Sequence, residues 1–313
     1  MLREFGVLPS SATCHCFLRF GHAFTMEAPD YYISTGNERV PDHVTHVRIG
    51  LALKFVLARA FERHPNIQEV ICHDGVEKIE EYAFCGCPRL LRVIMPGVKD
   101  VEKHAFNHCY ALTYIECGKL ERIGVGAFLS CKLSSIDLPS IKIVEGHAFD
   151  DCTNLTSARF GKDLESIRTG AFYYCESLER IALPLKNGLI AFDDIFQYCK
   201  KLNHVDLVGG VNEIIAALLL EEWKNDMDEE IDSINQILLN TPAGDGFVLA
   251  GKASEIRTWI RSVLRKIVRY KAEHRRYLSE AASTLHSALP NDIVCKNVFP
   301  FLELPSHTFE GEN

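Results

Sequence analysis

The stretch AFCGC at residues 83–87 is one of several near-copies that decide how this chain folds. Ala-Phe, separated from a cysteine by two residues, returns as AFNHC at 105–109, AFLSC at 127–131, AFDDC at 148–152 and AFYYC at 171–175. A weaker copy, IFQYC, lies at 195–199, and AFERH at 60–64 carries His64 in place of the cysteine. A motif that recurs at a nearly fixed period indicates a repeat architecture.

Other apolar residues recur at the same period. The phenylalanines of the seven motifs are 21 to 24 residues apart. Each unit also contains a segment such as LSSIDLP at 133–139, in which Ile136 and Leu138 alternate with polar residues and Pro139 follows. This alternation predicts a short strand that ends at the proline. One unit cannot bury its apolar side alone, so the sequence predicts a stacked solenoid with a parallel sheet about 30 Å long.

The repeated pattern, L-x-x-I-x-[LI]-P followed by V-x-x-I-x-x-x-A-F-x-x-C, resembles the BspA-like class of leucine-rich repeat over residues 44–208. The resemblance implies a solenoid of the α/β leucine-rich repeat type, with short parallel strands joined by tight turns or short helices. It also implies a protein-recognition or adhesion scaffold without shared catalysis. The whole chain is similar to a large family of diatom proteins that join such repeats to a helical C-terminal region.

The residues of the Ala-Phe-x-x-Cys motif are interpreted as stacked columns in the interior of the solenoid. The phenylalanines fill the interior, and each cysteine serves as a small apolar residue. A metal site is the first alternative, but one ligand per unit cannot surround an ion tetrahedrally. A disulfide ladder is the second, but the parallel Cβ vectors of stacked units suit the bond poorly. The twelve cysteines are therefore expected to be reduced.

The composition and the order of the patterns predict five regions. The chain has 313 residues, 47% of them hydrophobic, and a net charge of −8, which gives no general reason to expect nucleic acid. We expect a disordered extension at 1–26, an N-terminal cap at 27–43, repeats at 44–208, an antiparallel helical hairpin at 211–289, and a short helix and tail at 290–313. No membrane span is expected, and the interrupted N-terminus argues against secretion, so the predicted compartment is the cytoplasm, with the nucleus as the alternative.

Two apolar stripes with helical spacing follow the repeats, and they carry opposite charge. Residues 212–239 contain eight acidic residues and one lysine, whereas 252–289 contain nine basic residues and three glutamates. This predicts a hairpin with charge pairing between its helices, which caps the solenoid and could support self-association. The stretch RKIVRYKAEHRR at 265–276 is read as a solvated face balanced by the acidic helix, and a nucleic-acid or anionic-lipid patch is the alternative.

Several short motifs come near to known sites. GFVLAGKAS at 246–254 approaches a phosphate-binding loop, but Ala253 stands where that loop needs a hydroxyl and no strand precedes it. CHC at 14–16 together with His22 offers four possible zinc ligands, but ligands so close together in the sequence are improbable as a zinc site. The sequence therefore predicts no catalytic residue, no bound cofactor and no metal site.

The segment LPNDIVCKNVFPFLELP at 289–305 resembles the opening of an F-box, the motif that binds an adaptor of ubiquitin ligases. An F-box needs about forty residues, and this chain ends eight residues after Pro305. The alternative interpretation is a short amphipathic helix that packs on the hairpin or on the end of the solenoid.

The strand residues that point outward are the candidate partner-binding face. Unlike the inner columns, these positions do not repeat from unit to unit, which suits a ladder of separate contacts. The candidate residues are Glu69, Arg92, Tyr114, Glu116, Asp137, Arg159, Arg180, His204 and Asp206. The predicted function is a non-catalytic scaffold that binds an unknown protein. A ligase adaptor through 289–305 is the alternative, and nucleotide or nucleic-acid binding by the C-terminal helices is the third hypothesis.

Overall fold

A ladder of short parallel strands forms one side of the solenoid. The structure is a computed structural model that describes residues 31–36, 38–208, 221–243 and 251–288. The predicted extension 1–26, the cluster at 14–16 with His22 and the tail 290–313 with its F-box-like segment lie outside these ranges. The ladder on this side has two sheets. The first sheet contains β1 (Tyr32–Ser34), β2 (His46–Ile49), β4 (Glu69–Ile71), β6 (Arg92–Ile94) and β8 (Tyr114–Glu116). The second contains β10 (Ser135–Leu138), β12 (Ser157–Phe160), β14 (Arg180–Leu183) and β15 (His204–Leu207).

A second ladder of two-residue strands runs along another side of the same units. Its six strands are β3 (Phe55–Val56), β5 (Lys78–Ile79), β7 (Asp100–Val101), β9 (Arg122–Ile123), β11 (Ile143–Val144) and β13 (Ser166–Ile167). A single bridge between Ile167 and Ile190 continues this ladder into the last unit. All pairings are parallel and join neighbouring units, so the predicted solenoid of short parallel strands and tight turns is confirmed.

The interior of the solenoid follows the apolar periodicity of the sequence. In β10, Ile136 and Leu138 are buried, whereas Ser135 and Asp137 are exposed. The seven motif phenylalanines form one continuous stack with centroid distances of 4.8 to 5.8 Å between neighbours. The predicted phenylalanine column is therefore confirmed, and it joins all seven units in one core.

The Ala-Phe-x-x-Cys turns hydrogen-bond to one another through alternate backbone amides. The amides of Phe84 and Gly86 donate to the carbonyls of Ala105 and Asn107 in the next unit, at 2.8 and 2.7 Å. The intervening amides bond within their own turn. This alternation requires left-handed backbone at the residue before Ala and the residue before Cys, for example Tyr82 with φ 57° and Gly86 with φ 73°.

The motif cysteines do more than fill space. Each thiol of the six motifs donates a hydrogen bond to the phenylalanine carbonyl of the preceding unit, with Sγ–O distances of 3.0 to 3.2 Å. Burial raises the pKa of these thiols, to about 12 for Cys87 and Cys152. In the first unit His64 replaces the cysteine, and its Nε2 lies 3.1 Å from the carbonyl oxygen of Pro41. All nine cysteines in the described ranges are free, as predicted.

The first ladder, which contains the strands that the sequence predicts, is not continuous, and this corrects the prediction of one sheet along all units. No strand pairing joins β8 to β10 in the described structure. One residue is missing after Cys131, so Leu133 enters the core one position early. Lys132 still donates its amide to the Leu112 carbonyl at 3.0 Å, but the strand that follows has lost its pairing with β8, and Ile115 is only half-buried.

Two helices pack against the C-terminal end of the solenoid as an antiparallel pair, as predicted. They are α1 (Glu221–Asn240) and α2 (Lys252–Ala288). Trp259 Nε1 donates to the Glu230 carbonyl at 2.9 Å, and the Tyr270 hydroxyl donates to Asp226. Asn235 Oδ1 accepts the amide of Val205 at 2.9 Å, so α1 covers part of the open edge of β15. No helix in the described ranges is long and apolar enough to cross a membrane.

Both an ion pair and apolar packing join the two helices. An ion pair between Lys266 and Glu230 joins α1 to α2. Arg261 and Arg265 are exposed and face solvent. Apolar residues on both helices, including Ile234 and Val263, are fully buried. The apolar stripes, more than the charges, hold the hairpin together.

Candidate partner-binding face

The strand register places the predicted site residues in two outward columns, each interrupted at the break between β8 and β10. The first column is Glu69, Arg92 and Tyr114, then Ser135, Ser157, Arg180 and His204. The second is Ile71, Ile94 and Glu116, then Asp137, Arg159, Ala182 and Asp206. We call these two columns the strand face.

The N-terminal part of the strand face is a chain of contacts between neighbouring strands. Arg92 Nε lies 3.7 Å from Glu69 Oε1, and the guanidinium carbon lies 5.0 Å from the centroid of the Tyr114 ring. The Tyr114 hydroxyl donates to Glu116 Oε2 at 3.5 Å. An exposed cation–π contact stabilises by about 0.5–1 kcal/mol and an exposed ion pair by about 0–1 kcal/mol. These contacts therefore orient the side chains more than they stabilise the fold.

Three residues that the sequence interpretation missed extend this chain. The Tyr31 hydroxyl donates to Glu69, and the Arg48 guanidinium carbon lies 4.2 Å from the Tyr31 ring centroid. The His46 ring meets Tyr31 edge-on at 5.5 Å. Partial burial, followed by Glu69, raises the pKa of Tyr31. The alternation in HVRIG at 46–50 was the available signal, because it matches the strand pattern of the later units.

The centre of the strand face carries two exposed residues of opposite charge. Asp137 and Arg159 are register partners in β10 and β12. Within the described part of the chain, Arg159 forms no ion pair, so its guanidinium keeps all of its donors for a ligand. This position lies directly after the break in the ladder.

The C-terminal part of the strand face is a small ionic cluster. Arg180 Nε lies 3.3 Å from Asp206 Oδ2, and His204 Nε2 lies 3.1 Å from Asp206 Oδ1. Ala182, in the outward column, is only 4% exposed, and its short side chain lies between Arg159 and Asp206 in the register. The structure thus divides the predicted residues into two contact networks with Asp137 and Arg159 between them.

The described residues contain no group of three or more His, Cys, Asp or Glu side chains that could hold a metal ion. Lys252, the lysine of the loop that approaches a phosphate-binding motif, is buried. Its ammonium donates to the carbonyl oxygens of Leu202 and, at 3.3 Å, Leu238. Lys252 therefore links α2 to the last repeat, and burial lowers its pKa.

Comparison with known families identifies the repeat. The model of the BspA type leucine rich repeat region matches residues 54–131 and 121–221, in six copies. The chain belongs to the BspA-type leucine-rich repeat family. This family and its solenoid fold are typical of non-catalytic scaffolds for protein interaction. No curated protein matches this BspA-type chain significantly.

Solved structures similar to this BspA-type chain are bacterial leucine-rich repeat proteins. One from Bacteroides ovatus is 21% identical, with 53% of this chain and 48% of that chain covered and a TM-score of 0.39. The T. pallidum leucine rich repeat protein is 21% identical over 56% of this chain and 68% of that chain, with a TM-score of 0.35. One from Eubacterium ventriosum is 24% identical over 41% and 42%, with a TM-score of 0.34. The match spans about half the length of the Bacteroides ovatus protein.

Proposed function

We propose that this chain is a non-catalytic scaffold that binds a protein partner through the strand face. The observation that supports this function is the contrast between the inner and outer columns of the same strands. The inner columns repeat nearly the same residue type in every unit, because they fill one continuous core. The outer columns differ in charge or size at most steps, the exceptions being Ser135 with Ser157 and Ile71 with Ile94.

The chemistry of the strand face suits recognition of another protein. Tyrosine and arginine are the residue types most often found as energetic anchors in protein interfaces, and Tyr114, Arg92, Arg159 and Arg180 are all exposed here. Contacts to Glu69 and Asp206 hold two of these arginines in place before binding. An ordered arginine loses less side-chain entropy when it binds. Arg159, at the centre and without an ion pair in the described structure, is the anchor that we expect to contribute most.

The test is a charge reversal on the strand face, compared with an equal reversal elsewhere. The variant Arg159→Glu with Arg180→Glu changes two exposed residues of the face. Lys162→Glu with Arg168→Glu makes the same charge change at exposed positions outside the strand ladder. Partners recovered by affinity purification and identified by mass spectrometry should be lost with the first variant and kept with the second.

The melting temperature separates binding from folding. Both double variants should melt within about 2 °C of the parent protein, because surface substitutions usually change stability by about 0.5 kcal/mol or less. If both variants retain the same partners, the strand face is not the binding surface. If the face variant loses its partners and its stability together, these arginines serve the fold instead.

Self-association through the hairpin is a second role that the structure favours. Asp228, Glu229 and Asp232 are exposed on α1, and Arg261 and Arg265 are exposed on α2. Two copies could therefore pair acidic and basic surfaces with each other. Sedimentation at low and high salt tests this role: a dimer that dissociates with salt supports it, and a monomer at all concentrations rejects it.

The reduced thiols support a cytoplasmic location. Six motif cysteines use their S–H groups as hydrogen-bond donors inside the solenoid, which requires the thiol form. A reducing compartment maintains that form. Fractionation of cells that express the protein tests this location, and recovery of the protein outside the cell would contradict it.

A further inference from the structure

Three tyrosines form an exposed aromatic patch on the turns of the sixth and seventh units, away from the strand face. The Tyr174 and Tyr198 rings are stacked with centroids 4.3 Å apart and planes only 2° from parallel. Tyr173 meets both rings edge-on, at 4.7 and 5.3 Å. Tyr174 is 40% exposed, and the other two are half-buried. We call these three residues the tyrosine patch.

The fold does not need tyrosine at these positions. Tyr174 and Tyr198 occupy the position before the motif cysteine, which earlier units fill with Gly86, His108 and Ser130. The backbone is the same in each case, with positive φ between 55° and 73°. Glycine adopts this conformation freely, whereas a bulky side chain in it is unusual and costs free energy. Tyrosine is energetically unfavourable at this position, and other units fill the position with different residues in the same backbone conformation. The two tyrosines therefore indicate a role other than folding.

Carboxylates lie on the turns that carry or adjoin the tyrosine patch. Burial, then Tyr198, and then Asp150 and Glu176 raise the pKa of Tyr174. The turn that carries Asp150 and Asp151 packs directly on the turn that carries Tyr173, because the Asp151 amide donates to the Tyr173 carbonyl at 2.8 Å. Asp151 occupies the same left-handed turn position in the fifth unit that Tyr174 occupies in the sixth. Burial also raises the pKa of Asp150, so its charge is incompletely solvated. A cation brought to this surface would restore favourable interactions to that carboxylate.

Each of these carboxylates already has one partner but keeps capacity to accept more. Asp150 Oδ2 lies 3.0 Å from His147 Nδ1, and Asp151 Oδ2 accepts the Ser130 hydroxyl at 3.0 Å. Glu176 is paired with Lys200 at 2.7 Å. A carboxylate offers about four lone-pair positions. Asp150 and Asp151 can therefore each receive further N–H donors from a ligand without losing these contacts.

We propose that the tyrosine patch, with Asp150 and Asp151, is a docking surface for an arginine-rich segment of a protein partner. A guanidinium is planar and stacks on tyrosine while its N–H groups donate to a carboxylate. The tyrosine rings and the carboxylates that this interaction needs are present on adjacent units. A nucleic acid is disfavoured here, because its phosphates would meet Asp150 and Asp151. This surface is separate from the strand face, so it provides a second contact area on the same solenoid.

The experiment measures binding of a fluorescein-labelled oligoarginine peptide by fluorescence anisotropy, with an oligolysine peptide of equal length for comparison. The parent protein should bind oligoarginine more tightly than oligolysine, because the flat guanidinium stacks better than an ammonium. The variant Tyr174→Gly with Tyr198→Gly should weaken oligoarginine binding by about tenfold or more. Its melting temperature should stay the same or rise, since glycine suits the left-handed backbone.

A matched pair of charge variants tests the acidic part of the surface. Asp150→Asn with Asp151→Asn should weaken oligoarginine binding by about tenfold, because each removes one charge near the tyrosines. Asp74→Asn with Glu77→Gln removes the same charge from exposed positions in an early repeat and should leave the affinity within about twofold. Equal loss in both charge variants, equal affinity for the two peptides, no binding by the parent protein, or a large drop in melting temperature of the tyrosine variant would each overturn the proposal.

Discussion

Gly118 and Gly161 occupy the same position in two units, directly after the buried residues Cys117 and Phe160, but the structure predicts opposite outcomes when each becomes alanine. A Cβ atom on Gly161 would lie 1.7 Å from the carbonyl oxygen of Pro139 in the preceding unit. A Cβ atom on Gly118 would meet no atom within 4 Å. The two substitutions are chemically identical, so each serves as the control for the other.

The magnitude follows from the contact. Cβ atoms do not approach other heavy atoms closer than 3.0 Å, so Gly161→Ala must push two backbone segments apart by more than an ångström. Overpacking costs about 1–3 kcal/mol, and we expect the upper end because a backbone carbonyl cannot rotate away as a side chain can. Alanine also lowers the conformational entropy of the unfolded chain, which stabilises the folded state of both variants by about 0.4–1 kcal/mol. The net expectation is a loss of about 2 kcal/mol for Gly161→Ala and a gain of about 0.5 kcal/mol for Gly118→Ala.

Urea unfolding followed by circular dichroism measures both changes. Gly161→Ala should lower the free energy of unfolding by about 2 kcal/mol and the melting temperature by about 4–8 °C. Its slope with urea should be unchanged, because the substitution does not alter the surface exposed on unfolding. Equal effects of the two substitutions, within about 0.5 kcal/mol, would refute the close approach of Gly161 to Pro139 and the stacking geometry from which it follows.

Three further predictions test the core, the thiols and the hairpin. Phe128→Ala, in the middle of the aromatic stack and fully buried, should lower the free energy of unfolding by about 3–5 kcal/mol in urea titration, and Phe128→Leu by clearly less. In a thiol titration of the native protein, Cys85 should react and the eight buried thiols of the described ranges should not. Burial raises the folded pKa of Cys152 to about 12, so the folded state keeps a proton that the unfolded state loses above about pH 8.5. The free energy of unfolding should therefore fall as pH rises from about 8.5 towards 12, and a constant value over that window would contradict this assignment. Lys252→Ala should leave the carbonyls of Leu202 and Leu238 without their donor and speed amide exchange in α1, whereas exchange in the central repeats should not change.

The inner columns were fully predictable, and the contacts of the outer face were not. Phe84 and Cys87 recur at fixed offsets, so their burial could be inferred from any one unit once stacking was recognised. The thiol hydrogen bond to a carbonyl of the preceding unit was not predicted, because it depends on the angle between successive turns. The pairing of Arg92 with Glu69 could not be predicted from the sequence either, since two long side chains on neighbouring strands can adopt many arrangements.

The sequence by itself determined the repeated unit, its period of about twenty-two residues, the identity of the core columns and the presence of a helical hairpin after the repeats. These features follow from local periodicity, because every unit must meet the same burial requirement with its own residues. Only the tertiary structure decided that the strand ladder breaks after β8, that Ala182 is covered, and that two tyrosines from different units stack on one another. Those outcomes depend on register and distance between units, which are set by the packing of one unit on the next.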